Sequence, residues 1–207
     1  MTRRPLSTYR LQISEQFPLG EAAAVTGYLA DLGVSWAYLS PLLAAVRGSN
    51  HGYDVVDHSR VDPDRGGEEG LEQFAAAARA ADLGILVDIV PNHVGIAVPR
   101  QNPWWWEVLR LGRGTRRAAA FDIDWNAGGG RVVLPLLGSS PEQAIADGHL
   151  VVDATFAPDA PDGVLTYFEH VLPLAPGTST LADDLPAVLA AQHYELRFWQ
   201  DQNTDLT

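Results

Sequence analysis

Residues 84–93 read GILVDIVPNH. An ionisable Asp88 stands inside an aliphatic run, and Asn92 and His93 close it. A carboxylate there is costly unless it is paired or hydrogen-bonded. Ionised, it accepts strong charge-assisted hydrogen bonds and can orient its neighbours. Asn and His can donate to, and accept from, hydroxyl groups. A second cluster, GSNHGYD over 48–54, gathers His51, Tyr53 and Asp54 around Gly52. Glycine permits a tight backbone, and a tyrosine presents a flat apolar face with a polar tip, suited to the C–H face of a sugar. Each cluster also has a plainer reading. Asp88 would cap loop amides, Asn92 would make a turn, His93 would be a satisfied core residue, and Tyr53 would pack in an ordinary turn.

The elements that must position these residues follow from a repeated pattern. ADLGV at 30–34 and ADLGI at 81–85 each follow an Ala-rich helical run, 21–32 and 68–82, and each leads into an apolar run, VSWAYL and ILVDIV. Gly33 and Gly84 suit the left-handed position just past a helix. An alternating segment at 6–13, LSTYRLQI, precedes the first helix. The order strand, helix, strand, helix, strand implies parallel strands joined by helical crossovers. Such strands are expected to be covered on both faces. In the third, Ile85, Val87 and Ile89 point one way and Leu86, Asp88 and Val90 the other. Asp88 falls near the strand's C-terminal end, where parallel α/β folds place their sites.

The rest of the chain is less regular. A long loop, 41–67, follows the second strand, and its acidic stretch DPDRGGEE (62–69) reads as a solvated loop and helix N-terminus. It lacks the acidic spacing of a calcium loop. From 94 to 180 the chain is rich in Gly and Pro, with one clear helix in QNPWWWEVLRLG, where Asn102 is the N-cap and Pro103 opens the first turn. On that helix Trp104, Val108 and Leu111 form a stripe that Trp105 and Leu109 widen. Trp106, at its edge near Arg110, is the ring expected to be exposed. A helical segment is expected over about 181–200.

Composition narrows the function classes. The 207 residues are 46% hydrophobic, enough for a packed core. There is no cysteine, which removes disulfides, thiolate metal sites and cysteine nucleophiles. A net charge of −12 argues against nucleic acid or an anionic membrane as partner. No signal peptide and no membrane span is recognisable, so a cytoplasmic protein is expected. Neither a metal site nor a phosphate-binding glycine loop is recognisable, and no cofactor is expected.

In combination the motifs are more specific. DIVPNH resembles the segment that ends the third barrel strand in the α-amylase superfamily, and HGYD resembles that family's loop after the second strand. STYRLQ, YLSPLLAAVRGSNHGYDVVD and NPWWWEVL narrow the resemblance to the maltooligosyltrehalose synthase family, over essentially all 207 residues. The resemblance implies the first three strands of a (β/α)8 TIM barrel with a B-domain-like insertion after the third. Residues 1–93 would belong to the barrel, 94–180 to the inserted subdomain, and 181–207 to a helical return toward the barrel, short of a fourth strand.

The same resemblance implies the activity and the roles. The parent enzyme would convert the reducing-end α-1,4 linkage of a maltooligosaccharide into an α,α-1,1 linkage, as an isomerase of trehalose biosynthesis. Tyr53 would stack on the sugar before the scissile bond and His93 would contact it. Asp88 would be a buried carboxylate orienting other site residues, Asn92 would support the loop, and Gln12 would line the pocket floor. His51 and Asp54 would be neighbours. The nucleophile and acid/base would lie on strands beyond these three, so the partner is the remainder of the same enzyme and this chain alone is inactive. Two alternatives stay open: an α-amylase-type hydrolase, and a non-catalytic carbohydrate-binding piece.

Overall fold

The computed structural model describes residues 4–155 and 157–201. It divides into two compact units, Met1–Ala97 and Val98–Thr207.

The first unit is built on a three-stranded sheet, β1 (Thr8–Leu11), β2 (Trp36–Leu39) and, later in the chain, β5 (Gly84–Val87), in the order β1-β2-β5. Both pairings are parallel, as the alternation of elements requires. Between β1 and β2 lie α1 (Leu19–Ala24) and α2 (Thr26–Asp31). One helix was expected over 21–32. Val25 instead takes φ −96° and ψ 0°, and the Thr26 hydroxyl donates to the Ala23 carbonyl at 2.9 Å, so the helix breaks there. The expected loop 41–67 also contains structure. Its apolar runs pair as an antiparallel hairpin of β3 (Leu43–Ala45) and β4 (Val55–Val61), followed by a 3-10 turn at Pro63–Arg65. Helix α3 (Gly67–Ala80) then leads to β5.

The register decides the faces. Leu11, Leu39 and Val87 lie side by side, as do Tyr9, Ala37 and Ile85. From this face Leu11, Ala37 and Leu39 are buried in a core with Leu19, Leu29, Phe74 and Ala78 of the helices. The opposite face carries Thr8, Trp36 and Gly84, then Arg10, Tyr38 and Leu86. Arg10 and Leu86 on it are exposed. Among the described residues the helices of this unit cover one face of the sheet, and the other carries Arg10, Tyr38 and Leu86.

Gly33 has the expected left-handed φ of +83°, but Gly84 does not. Asp82 takes the left-handed turn after α3 instead, with φ +56°. Gly84 opens β5, where a Cβ would lie 2.3 Å from the Trp36 indole. It is glycine because a ring lies against it.

The second unit holds α4 (Pro103–Leu111), β6 (Val132–Leu137), α5 (Pro141–Ala146), the antiparallel sheet of β7 (Leu150–Asp153), β8 (Val164–Tyr167) and β9 (His170–Pro173), then α6 (Leu185–Ala191) and β10 (Tyr194–Phe198). The Asn102 side chain caps α4 as expected, accepting from the Trp104 and Trp105 amides. On α4 the exposed tryptophan is Trp104, at 46%, while Trp106 is buried and its indole N–H reaches the Asp159 carbonyl at 2.7 Å. The helix expected over 181–200 is confined to α6. YELRF beyond it alternates with period two, buries Tyr194 and Leu196, and pairs in parallel with β6.

Replacing Gly84 with Ala should destabilise the chain by about 1–3 kcal/mol, since the indole or the strand must move. Urea unfolding checks this against Gly114→Ala, where an added methyl meets nothing within 4 Å.

Candidate functional site

The ends of β1, β2 and β5 converge on one loop. The Ser40 hydroxyl, just past β2, accepts from the Ile13 amide at 2.8 Å and ties the β1 and β2 ends together. Arg65 is 1% exposed, and its guanidinium donates to the Ile13 carbonyl at 2.9 Å and to the Ser49 carbonyl at 2.8 Å. Its Nε lies 3.6 Å from the Asp62 carboxylate. Asp62 also accepts from the amides of Ala45 and Asp64. The expectation that 62–69 is simply solvated is corrected at these two residues: both are buried, and together they clamp the loop.

Within the loop, Gly52 has φ +78°, and a Cβ there would come 2.8 Å from the Pro41 carbonyl oxygen. The chain folds back on itself there in a way only glycine allows. The Ser49 hydroxyl donates to Asp54 and accepts from the Gly52 amide. The His51 Nδ1 accepts from the Tyr53 amide at 3.1 Å, which places a neutral ring's proton on Nε2. Gln12 donates to the carbonyl of Asn50 at 2.9 Å and of His51 at 3.4 Å. Thus Gln12, His51 and Asp54 are occupied in shaping the turn that presents Tyr53.

Tyr53 crosses to the end of β5. Its hydroxyl donates to Asp88 Oδ2 at 2.6 Å. Arg10 donates to the same Asp88 oxygen at 3.1 Å and to the Tyr53 hydroxyl at 3.0 Å. The Tyr53 hydrogen bond is the main reason the Asp88 carboxyl titrates below its ordinary range; partial burial opposes this and Arg10 adds to it. The same bond raises the Tyr53 phenol. Burial pulls Arg10 down, but its bonds to Asp88 and Tyr53 more than offset this and its guanidinium is raised. Asp88 is therefore ionised and engaged. Its partners are side chains rather than loop amides.

Beyond Asp88 the chain runs beside the hairpin. His58 meets the Val90 carbonyl at 3.3 Å, and the Gly95 amide donates to the Val55 carbonyl at 2.7 Å. Asn92 and His93 are exposed in this stretch, and neither side chain makes a hydrogen bond among the described residues. Tyr53, Asp88, Gln12, His51 and Asp54 are thus brought into one bonded assembly, and no hydrogen bond joins the Asn92 or His93 side chain to it among the described residues. Sequence reasoning missed Arg10 and Arg65. Arg10 was visible in principle, since it lies in β1 two residues before Gln12, which follows the strand's end. Arg65 gave no such signal.

Asp88 makes a pH-dependent contribution. Its folded-state value is depressed, so the stabilisation is present above the unfolded-state value of about 3.9 and is lost as pH falls through the lower folded value. Asp88→Asn should therefore lose less stability than the unaltered chain between pH about 5 and about 3. Parallel slopes of unfolding free energy against pH would contradict the assignment.

Three comparisons with known proteins bear on this geometry. Residues 24–107 match the family model described as the α-amylase catalytic domain. Over 200 residues the chain is 46% identical to a putative maltooligosyl trehalose synthase of Mycobacterium tuberculosis strain H37Rv, an alignment covering 94% of this chain and 24% of that protein. Among solved structures, the maltooligosyltrehalose synthase of Arthrobacter ramosus superposes with a TM-score of 0.84 at 50% identity, covering 94% of this chain and 24% of that one. A hypothetical maltooligosyl trehalose synthase of Sulfolobus tokodaii does so with a TM-score of 0.80 at 34% identity, covering 96% and 26%. The chain spans about a quarter of the length of the relatives it matches.

Proposed function

We infer that this chain, which belongs to the α-amylase superfamily and matches its maltooligosyltrehalose synthases, forms part of an intramolecular transglucosylase. That enzyme rearranges the reducing-end α-1,4 linkage of a maltooligosaccharide to an α,α-1,1 linkage. One observation carries the reading. Identity to the synthases extends over 200 residues and both units, whereas the general α-amylase match ends at residue 107. A plain α-glucan hydrolase accounts for the first unit only.

In this reading β1, β2 and β5 are the first three strands of a (β/α)8 barrel. Residues 94–180 are a B-domain-like insertion, and 181–207 follow it. The parallel strand order and the site at the strands' C-terminal ends support this. The Tyr53 ring is the platform for the sugar before the scissile bond. His93, exposed and without an internal hydrogen bond among the described residues, contacts that sugar, and Asn92 supports the strand-end loop. Asp88 takes both the Tyr53 hydroxyl and the Arg10 guanidinium on one oxygen, and in this reading its role is to orient Tyr53.

The reaction needs a carboxylate nucleophile and a carboxylic acid that later acts as base, in the retaining geometry. Those groups belong to parts of the enzyme outside these 207 residues. Transfer prevails over hydrolysis when the released glucose stays enclosed, turns, and attacks through its anomeric hydroxyl with water excluded.

The test is incubation of the complete polypeptide carrying this segment with maltopentaose. A product that loses its reducing end without a rise in total reducing sugar is expected. A rising reducing-sugar count would establish hydrolysis instead. The purified 207-residue chain should turn over nothing. In the complete enzyme, Tyr53→Ala and His93→Ala should each lower kcat/KM by roughly 10- to 1000-fold with folding retained. Unchanged kinetics with a large fall in Tm would show that these side chains serve packing.

A further inference from the structure

We propose that Arg10 is a positioning residue of the sugar site, which locks the Tyr53 phenol against Asp88 and so fixes the plane of the stacking ring. The inference rests on the reading of this site as one for α-glucan.

The topology makes the arrangement specific to arginine. Arg10 lies on β1 and Asp88 just beyond β5, the two outer strands of the sheet, with β2 between them. Neighbouring strands are about 4.8 Å apart, so the side chain must span about twice that distance. It does so over the Tyr38 ring of β2, with the guanidinium carbon 4.6 Å from the ring centroid. There the planar fork meets two acceptors at once, the Asp88 carboxylate at 3.1 Å and the Tyr53 oxygen at 3.0 Å. A lysine has the charge but lacks the fork.

The consequence for Tyr53 follows from its two ends. Its backbone is held by the turn at Gly52 and by His51 Nδ1. Its hydroxyl accepts from Arg10 and donates to Asp88, so the oxygen is held from two strands. A ring fixed at both ends offers a sugar one stacking plane without an ordering cost on binding. Guanidinium carries five N–H groups, and only two are used here among the described residues. The others lie on a side chain that is 35% exposed, on the sheet face the helices leave open.

The experiment uses the complete polypeptide with maltopentaose and compares Arg10→Ala, Arg10→Lys, Tyr53→Phe and the double variant Arg10→Ala/Tyr53→Phe. Arg10→Ala should lower kcat/KM by about 10- to 100-fold, the scale of losing charge-assisted hydrogen bonds, while Tm changes little. In the Tyr53→Phe background the same change should cost less than about 3-fold, because its route runs through the phenol. Added guanidinium ion should restore activity to Arg10→Ala and not to Tyr53→Phe. Additive losses without rescue, or an Arg10→Ala enzyme with unaltered kcat/KM, would overturn the proposal. If Arg10→Ala fails to fold, Arg10→Lys decides: a 10-fold or greater loss at unaltered Tm is expected, and wild-type kinetics would refute the role. An unaltered enzyme inert toward α-glucans would overturn the functional reading and this proposal with it. Turnover by an enzyme indifferent to Arg10 would overturn this proposal alone.

Discussion

A single buried guanidinium holds the first unit's site together. Arg65 has almost no contact with solvent, and a buried charge without partners costs several kcal/mol. Its partners are drawn from separate parts of the chain: the Ile13 carbonyl after β1, the Ser49 carbonyl in the long loop, and Asp62 before α3. Asp62 in turn holds the amide of Ala45 in the hairpin. The geometry that brings Tyr53 over the end of β5 depends on this clamp. If the loop moves away, Arg65 loses an acceptor in a place where water cannot replace it.

The second constraint is the unequal cover of the sheet. One face is apolar and packed on the helices, while the other carries Arg10, Tyr38 and Asp88. On that face Arg10 crosses the sheet to the Asp88 carboxylate and is 35% exposed among the described residues. The unequal cover also leaves Leu86 40% and Ile89 69% exposed at and beyond β5, which has β2 on one side and no paired strand on the other among the described residues. Apolar residues along an unpaired strand edge suit a sheet that continues. This agrees with relatives about four times as long as the chain.

The charges also bear on the chemistry. Asp88 Oδ2 is held by Tyr53 and Arg10, which keep the group ionised and fixed. Its value lies in the rigidity it gives the tyrosine, so these residues contribute through binding and orientation.

Sequence alone determined the alternation of strand and helix in the first unit's sheet, its parallel strands, the Asn102 cap and the two clusters at the strand ends. Each of these is written in local features: the period of apolar residues, a capping side chain, a glycine or an asparagine in place. The motifs in order also determined the family. The fates of Gly84, Trp106 and Arg65 were decided only by tertiary structure. Gly84 lies against the indole of Trp36 on a neighbouring strand, Trp106 finds a carbonyl 53 positions away, and Arg65 reaches the Ile13 carbonyl 52 positions back. The same holds for the crossing of Arg10 to Asp88, 78 positions apart. Hydrogen bonds between distant residues leave no periodicity in the chain, because each partner satisfies only its own local rules until the fold brings the two within 3 Å.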